Sequence, residues 1–322
     1  MPFRLGAGLL LAICLLLMGC GSHATARVHH HSSAGAQASP HVFVIMMENK
    51  GAGDIVGNPA APFINRLIHR YGFAARYYAV THPSLPNYVA TIAGSTFGST
   101  SDDDSQRFPG ASIATQLTAA GLTWRAYMES MPRPGYAGDV AGSDGAILYD
   151  RKHDPFLLMS RILGSSRQRS SVVPASRLPR DLTGGQVATL SWITPNLCHD
   201  MHGLGSSGPC PTDQQGLIRT GDRYLGRLVP EIMRSQAWSR GGIIFLVWDE
   251  AAESDLGLGS PGYEGGRVPM VVIAAGVNHH AVSHTLFNHY SLLKTMERLW
   301  RLPCLRQACA PSVRPMTALL RP

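Results

Sequence analysis

Val42 to Met47 and Gly242 to Trp248 are apolar runs with no polar residue alternating through them. A strand with one face in water alternates, so runs like these belong to strands covered on both faces, as in parallel sheets packed between helices. Helical spacing fills the intervals at Pro62 to Tyr71, Leu85 to Ile92, Ser112 to Ala120, Thr220 to Gln236 and His289 to Trp300. Further strands are expected at Phe73 to Val80, Thr123 to Met128, Val187 to Thr194 and Val268 to Ala275. The Thr220 helix reads as opened by Gly221-Asp222. This order makes the chain α/β with a mostly parallel central sheet.

Residues 1–20 are set apart from that pattern. Arg4 precedes the apolar stretch Leu5 to Met18, which is too short for a membrane span and has the layout of an export signal. Leu17-Met18-Gly19-Cys20 has the form of a lipobox, so Cys20 is expected to carry a lipid anchor in the cell envelope, with a soluble secreted chain as the alternative. Residues 21–40 lack apolar periodicity and read as a disordered polar linker. Residues 41–322 then form a single domain, because no repeat or second linker divides them.

Four of the six cysteines fall in that domain as two close pairs, Cys198 with Cys210 and Cys304 with Cys309. Export favours oxidation, and neither spacing resembles a zinc-binding pair, so two disulfides are expected, although sequence alone leaves the pairing open. The formal charge of +7 suits an anionic substrate or lipid headgroup. Its basic residues are scattered and not interleaved with aromatics, which argues against nucleic acid.

Four of the segments end in groups that can do chemistry: Glu48-Asn49, the turn Thr81-His82-Pro83-Ser84, Asp200-Met201-His202, and Asp249-Glu250. In open α/β sheets, ligands bind outside the carboxyl ends of the strands, so these segments are expected to face one crevice. Ser84 is the candidate nucleophile: it stands between Pro83 and Pro86 where a helix begins, and the helix start offers unpaired N–H groups to a phosphate. A simple helix cap is the competing reading. Asn87, one turn on, either donates to a phosphate oxygen or ties the turn together. Glu48, Asn49, Asp249 and Glu250 supply oxygen ligands, and His82, His202 and His289 supply imidazoles. Oxygen donors suit a hard divalent cation such as magnesium or calcium, and imidazole shifts the choice toward manganese, zinc or iron. His202 has three open roles: acid to the leaving oxygen, metal ligand, or partner of Asp200. The acidic run Asp102-Asp103-Asp104 lacks the spacing of a calcium loop and reads as solvated. Ala251–Gly266 reads as a Gly-rich surface loop.

Taken in order, Met46-Met47-Glu48-Asn49, His82-Pro83-Ser84-Leu85-Pro86-Asn87-Tyr88, Asp200-Met201-His202, Gly221-Asp222, Trp248-Asp249-Glu250 and His289-Tyr290 resemble the bacterial phosphoesterase family of acid phosphatases and phospholipases C. The chain is most similar to its short secreted acid phosphatases. That resemblance implies an alkaline-phosphatase-like fold, a three-layer α/β/α sandwich. It also implies Ser84 as nucleophile, with Glu48, Asn49 and Asp249 at metal positions and Glu250 where the family often has Asp. Asp200, His202 and His289 resemble crevice residues, and Arg151-Lys152-His153 resembles a basic segment of the short branch that either meets a second anionic group or is a solvated loop. Lys50-Gly51 departs from the larger members. The expected activity is hydrolysis of phosphomonoesters through a phosphoserine, on a small phosphorylated molecule or a phospholipid. A phospholipase C and a phospho-ligand-binding lipoprotein are the alternatives.

Overall fold

The computed structural model describes residues 39–321 apart from 144, 207, 278 and 279. The export signal, the lipobox with Cys20 and residues 21–38 of the linker lie outside the described residues. Val42–Met47 occupies the interior of an eight-stranded sheet whose order is Ala281–Ser283, Gly72–Ala74, Met270–Ala274, Ile243–Trp248, Val42–Met47, Leu190–Thr194, Trp124–Met128 and Val172–Pro174. Ile243–Trp248 and Leu190–Thr194 run parallel to it on either side, and every residue of the three is buried. Met270–Ala274 alone runs against both of its neighbours. The apolar runs thus become central strands, and helices flank the sheet in the α/β/α arrangement. Parallel pairing sends the carboxyl ends of Val42–Met47, Leu190–Thr194 and Ile243–Trp248 to one edge, where Glu48, the Asn196–His202 loop and Asp249 follow.

Two expected elements are corrected. Phe73 to Val80 is not one strand: Gly72–Ala74 joins the main sheet, whereas Tyr77–Tyr78 pairs with Phe287–Asn288 in a separate two-stranded sheet. The break at Ala75-Arg76 turns the chain off the main sheet before the Ser84 turn. The helix expected from Thr220 begins earlier, spans Gln214–Met233, and is capped by Asp213, whose carboxylate accepts from Gly216 N–H at 2.7 Å. Gly221-Asp222 lies inside that helix and does other work. A side chain at Gly221 would meet Met201 Cε at 2.5 Å, so glycine lets the helix press on the loop that carries Asp200. The Asp222 carboxylate accepts from the N–H groups of Phe63 (3.2 Å) and Ile64 (2.9 Å), closing the start of helix Pro62–Arg70, which has no side-chain cap of its own.

Between Met128 and Leu190 the chain makes an excursion that sequence periodicity does not show. It contains the hairpin Val140–Ser143 with Ala146–Asp150, short helices, and the edge strand Val172–Pro174. The excursion carries Arg151–His153 back to the sheet edge. Cys198–Cys210 and Cys304–Cys309 are both disulfides, and the first closes the loop that bears His199 to Gly203.

Asp222→Ala removes the acceptor for two helix N–H groups at a buried position. We expect a loss of about 1–2 kcal/mol in urea unfolding with an unchanged denaturant slope.

Candidate active site

Backbone hydrogen bonds first lock the loops at the strand ends to each other. Glu48 N–H donates to Asp200 O (2.9 Å), and Asp249 N–H donates to Met47 O (3.0 Å). Asn49 N–H donates to Asp249 Oδ1 at 3.0 Å, from a backbone at φ 41° that asparagine tolerates better than most residues. Lys50, which departs from the family start, is buried and donates its ammonium to the carbonyls of Asn49 (3.0 Å) and Met201 (2.8 Å). It is a brace between two loops.

Ser84 is the first residue of helix Ser84–Ala93 and is buried. Its Oγ lies 2.8 Å from Glu250 Oε1, 3.2 Å from Glu48 Oε2 and 3.3 Å from Asn49 Oδ1. One hydroxyl proton serves one of these acceptors at a time, so the remaining lone pairs face one another. Asn87 does not reach this group. Its Oδ1 accepts from Val80 and Thr81 N–H, and its Nδ2 donates to the Thr81 and Pro83 carbonyls, so the amide is fully spent on the turn and the phosphate role is withdrawn. The helix start is also less open than expected: Leu85 N–H donates to Asp102 Oδ1 at 2.9 Å. Asp102 is therefore more than a solvated loop residue, and its Oδ2 accepts from Lys152 Nζ at 2.8 Å.

Four carboxylates, Glu48, Asp200, Asp249 and Glu250, are buried here. Burial lifts the pKa of Glu48 well above its ordinary value, and the charge of Asp200 adds to it. Burial likewise lifts Asp249, helped by Glu48 and Glu250, and it lifts Asp200, where the His202 N–H pulls the other way. Glu48 Oε1, Asp249 Oδ2, Asp200 Oδ2 and His153 Nε2 are buried with no hydrogen-bond partner among the described residues. Buried polar atoms are normally paired, so this set fits a divalent cation, which neutralises carboxylates and accepts the unused lone pairs together. Glu48 offers Oε2 toward Ser84, while its Oε1 lies 3.4 Å from His153 Nε2.

The histidines separate by their partners. His289 was an expected metal or phosphate contact, but Nε2 donates to Asp249 O (2.6 Å) and Nδ1 accepts from the Tyr77 hydroxyl (3.0 Å), so neither nitrogen is free. Burial holds it down at about 4, which suits this neutral brace. His82 also has both nitrogens engaged, on Glu250 Oε2 and on Asp255 O, and so supports Glu250 from behind instead of contacting a metal. Its pKa is pushed up to about 9 by the Glu250 hydrogen bond, against the effect of burial. His202 donates Nδ1–H to Gly203 O at 2.8 Å, leaving a lone pair on Nε2, and burial lowers its pKa. With Nδ1–H held by a carbonyl, Nε2 is left as a lone pair that could bind a metal. His153, passed over as part of a basic segment, is buried, stacks on Tyr88 at 5.2 Å, and is pushed well below its usual pKa by burial. Glu48, His153 and His202 bring one donor atom each to within 4.8 Å of one another.

A model described as the phosphoesterase family matches residues 56–303. The chain belongs to the phosphoesterase family. Among relatives of this phosphoesterase, a phosphatidylinositol-3-phosphatase of Mycobacterium tuberculosis is 30% identical over 82% of this chain and 77% of its own length. A phosphate-repressible acid phosphatase of Penicillium chrysogenum is 26% identical over 75% of this chain, and the match spans only 55% of that relative. Among solved structures, the phosphonate monoester hydrolase of Agrobacterium radiobacter aligns at TM-score 0.55 and 15% identity, covering 87% of this chain and 77% of that one. A protein in the alkaline phosphatase superfamily from Vibrio parahaemolyticus aligns at 0.53 and 14%, covering 85% and 70%. At these identities the likeness is one of fold. Family and donor cluster together make the chain a metal-dependent phosphoesterase. Among the described residues of this phosphoesterase, Glu48, His153 and His202 could hold a cation together, beside the unpartnered oxygens of Asp200 and Asp249.

In metal-free protein the His82–Glu250 pair has a definite pH signature. The folded pKa of His82, about 9, exceeds its ordinary 6.5, so the stabilisation is fully present below that lower value and disappears as pH rises through the upper one. We expect His82→Gln to lower the Tm of chelated protein near pH 6 and to leave it unchanged near pH 10.

Proposed function

We propose that this chain is a phosphomonoesterase that works through a covalent phosphoserine on Ser84. The observation that carries the reading is the placement of Ser84 Oγ within 3.3 Å of Glu48, Asn49 and Glu250 oxygens beside a buried carboxylate cluster. Names of the relatives, phosphatidylinositol-3-phosphatase and acid phosphatase, support a phosphomonoester as substrate, either a small molecule or a lipid headgroup. The export leader and the Cys20 anchor belong to the same proposal.

Bound divalent metal supplies Lewis acidity, lowering the pKa of the Ser84 hydroxyl and offsetting charge on the phosphoryl oxygens. The protein's own part is proton handling and alignment. Ser84 passes its proton to Glu250 Oε1, 2.8 Å away, as its Oγ bonds to phosphorus and the bond from phosphorus to the ester oxygen breaks. The departing oxygen takes a proton from water. A second water then attacks phosphorus and loses its own proton to solvent; the Oγ–phosphorus bond breaks and Glu250 returns the proton to Ser84. His82 fixes the orientation of Glu250 throughout.

Chelator should abolish hydrolysis of p-nitrophenyl phosphate, and divalent metal should restore it. Ser84→Ala should lower kcat by about three orders of magnitude, and acid-quenched unaltered protein should carry phosphate on the peptide containing Ser84. Undiminished turnover by Ser84→Ala would defeat the mechanism. Faster release of diacylglycerol from phosphatidylcholine than of phosphate from monoesters would favour the phospholipase C alternative.

A further inference from the structure

Asp102 and Lys152 stand at the rim of the carboxylate cluster. Asp102 Oδ1 accepts Leu85 N–H at 2.9 Å and Oδ2 accepts Lys152 Nζ at 2.8 Å, with side-chain exposures of 33% for Asp102 and 14% for Lys152. The first turn of the Ser84 helix has only two amide donors, those of Ser84 and Leu85, because Pro83 and Pro86 carry no N–H. An anion is thus already seated against the residue after the nucleophile, on a lysine whose other charged neighbours are Glu48 and Asp150.

A phosphoryl dianion approaching Ser84 meets four buried carboxylates, and a cation must offset them. Two lysines carry charge to Glu48. Lys50 is committed, its ammonium held by two backbone carbonyls. Arg151, next in sequence to Lys152, is committed as well, to the carbonyls of Asp104 and Ala137 and to Asp139. Lys152 differs from both. Its ammonium has one hydrogen-bond partner among the described residues, a half-buried carboxylate.

We propose that Lys152 binds a phosphoryl oxygen of the substrate and of the phosphate product, and that Asp102 holds its place in the resting protein and competes with them for it. This rests on the reading above that the phosphoryl group reacts at Ser84. Asp102 then sets affinity by opposition: its charge keeps Lys152 aligned but must be displaced before the phosphoryl group is gripped. An exchange of this kind weakens product retention, since the same carboxylate returns to Lys152 as phosphate leaves.

The two residues therefore have effects of opposite sign. Asp102→Asn keeps an oxygen for Leu85 N–H and removes only the charge, so it should tighten inorganic phosphate by roughly threefold to tenfold. Lys152→Gln should weaken phosphate about tenfold and raise KM for p-nitrophenyl phosphate more than it lowers kcat, and Lys152→Arg should recover most of the loss. Calorimetric titration of inorganic phosphate into the metal-loaded full chain reads these without turnover. A purely structural role for the pair predicts that both substitutions weaken phosphate together. The proposal is overturned if Asp102→Asn fails to tighten phosphate or if Lys152→Gln fails to weaken it. Hydrolysis surviving in Ser84→Ala would overturn the functional reading instead, and leaves the phosphate titrations to stand on their own. An unaltered chain that takes up no phosphate overturns both.

Discussion

Four carboxylates buried together at one edge of the sheet are the constraint that the rest of this structure serves. Ionised side chains out of water are costly unless a counter-charge and hydrogen bonds accompany them. Glu250 has His82 and Ser84, but Glu48, Asp200 and Asp249 have neither in sufficient number from the protein, as their raised pKa values and unpartnered oxygens record. A divalent cation resolves the conflict, and a site that keeps it unresolved until the cation arrives is poised to bind one strongly.

Holding such groups together takes a rigid frame. The three central strands supply it, because their parallel register ends them at one edge and their burial on both faces leaves little freedom. Around that edge, interactions that touch no substrate fix the loops: Lys50 bridges two of them, His289 clamps the Asp249 carbonyl, Asn87 knots the turn before Ser84, and the Cys198–Cys210 disulfide closes the loop of Asp200. Gly221 and Asp222, deep within one helix, set how closely that helix approaches the Asp200 loop and how the helix Pro62–Arg70 begins.

Much of this is legible in the sequence where one physical signal dominates. Val42–Met47 is readable to the residue because six consecutive apolar side chains admit no half-exposed strand, and Glu48, Asn49 and Asp249 follow directly from where such strands stop. Legibility fails where partners come from far along the chain. Asn87 and His289 have the right chemistry for a phosphate or metal, and only their distant partners show that their capacity is used. His153 hides in a basic string that reads as solvated, since its burial depends on stacking against Tyr88. A signal was available in Asp154-Pro155, a cap and first-turn proline that mark an ordered turn directly after it. Asp102 hides likewise among three acids, and only the return of the Arg151–His153 segment brings Lys152 to it.

The most direct test of the account is calorimetric titration of chelated protein with manganese or zinc in buffers of different ionisation enthalpy. Carboxylates lifted by burial give up protons when a cation takes their place, so binding should release protons, with the release shrinking as pH rises. Glu48→Gln and Asp249→Asn should each weaken binding and reduce the protons released. Failure of every divalent cation to bind, or binding indifferent to both substitutions and to pH, would contradict the claim that the buried carboxylates are built for a metal.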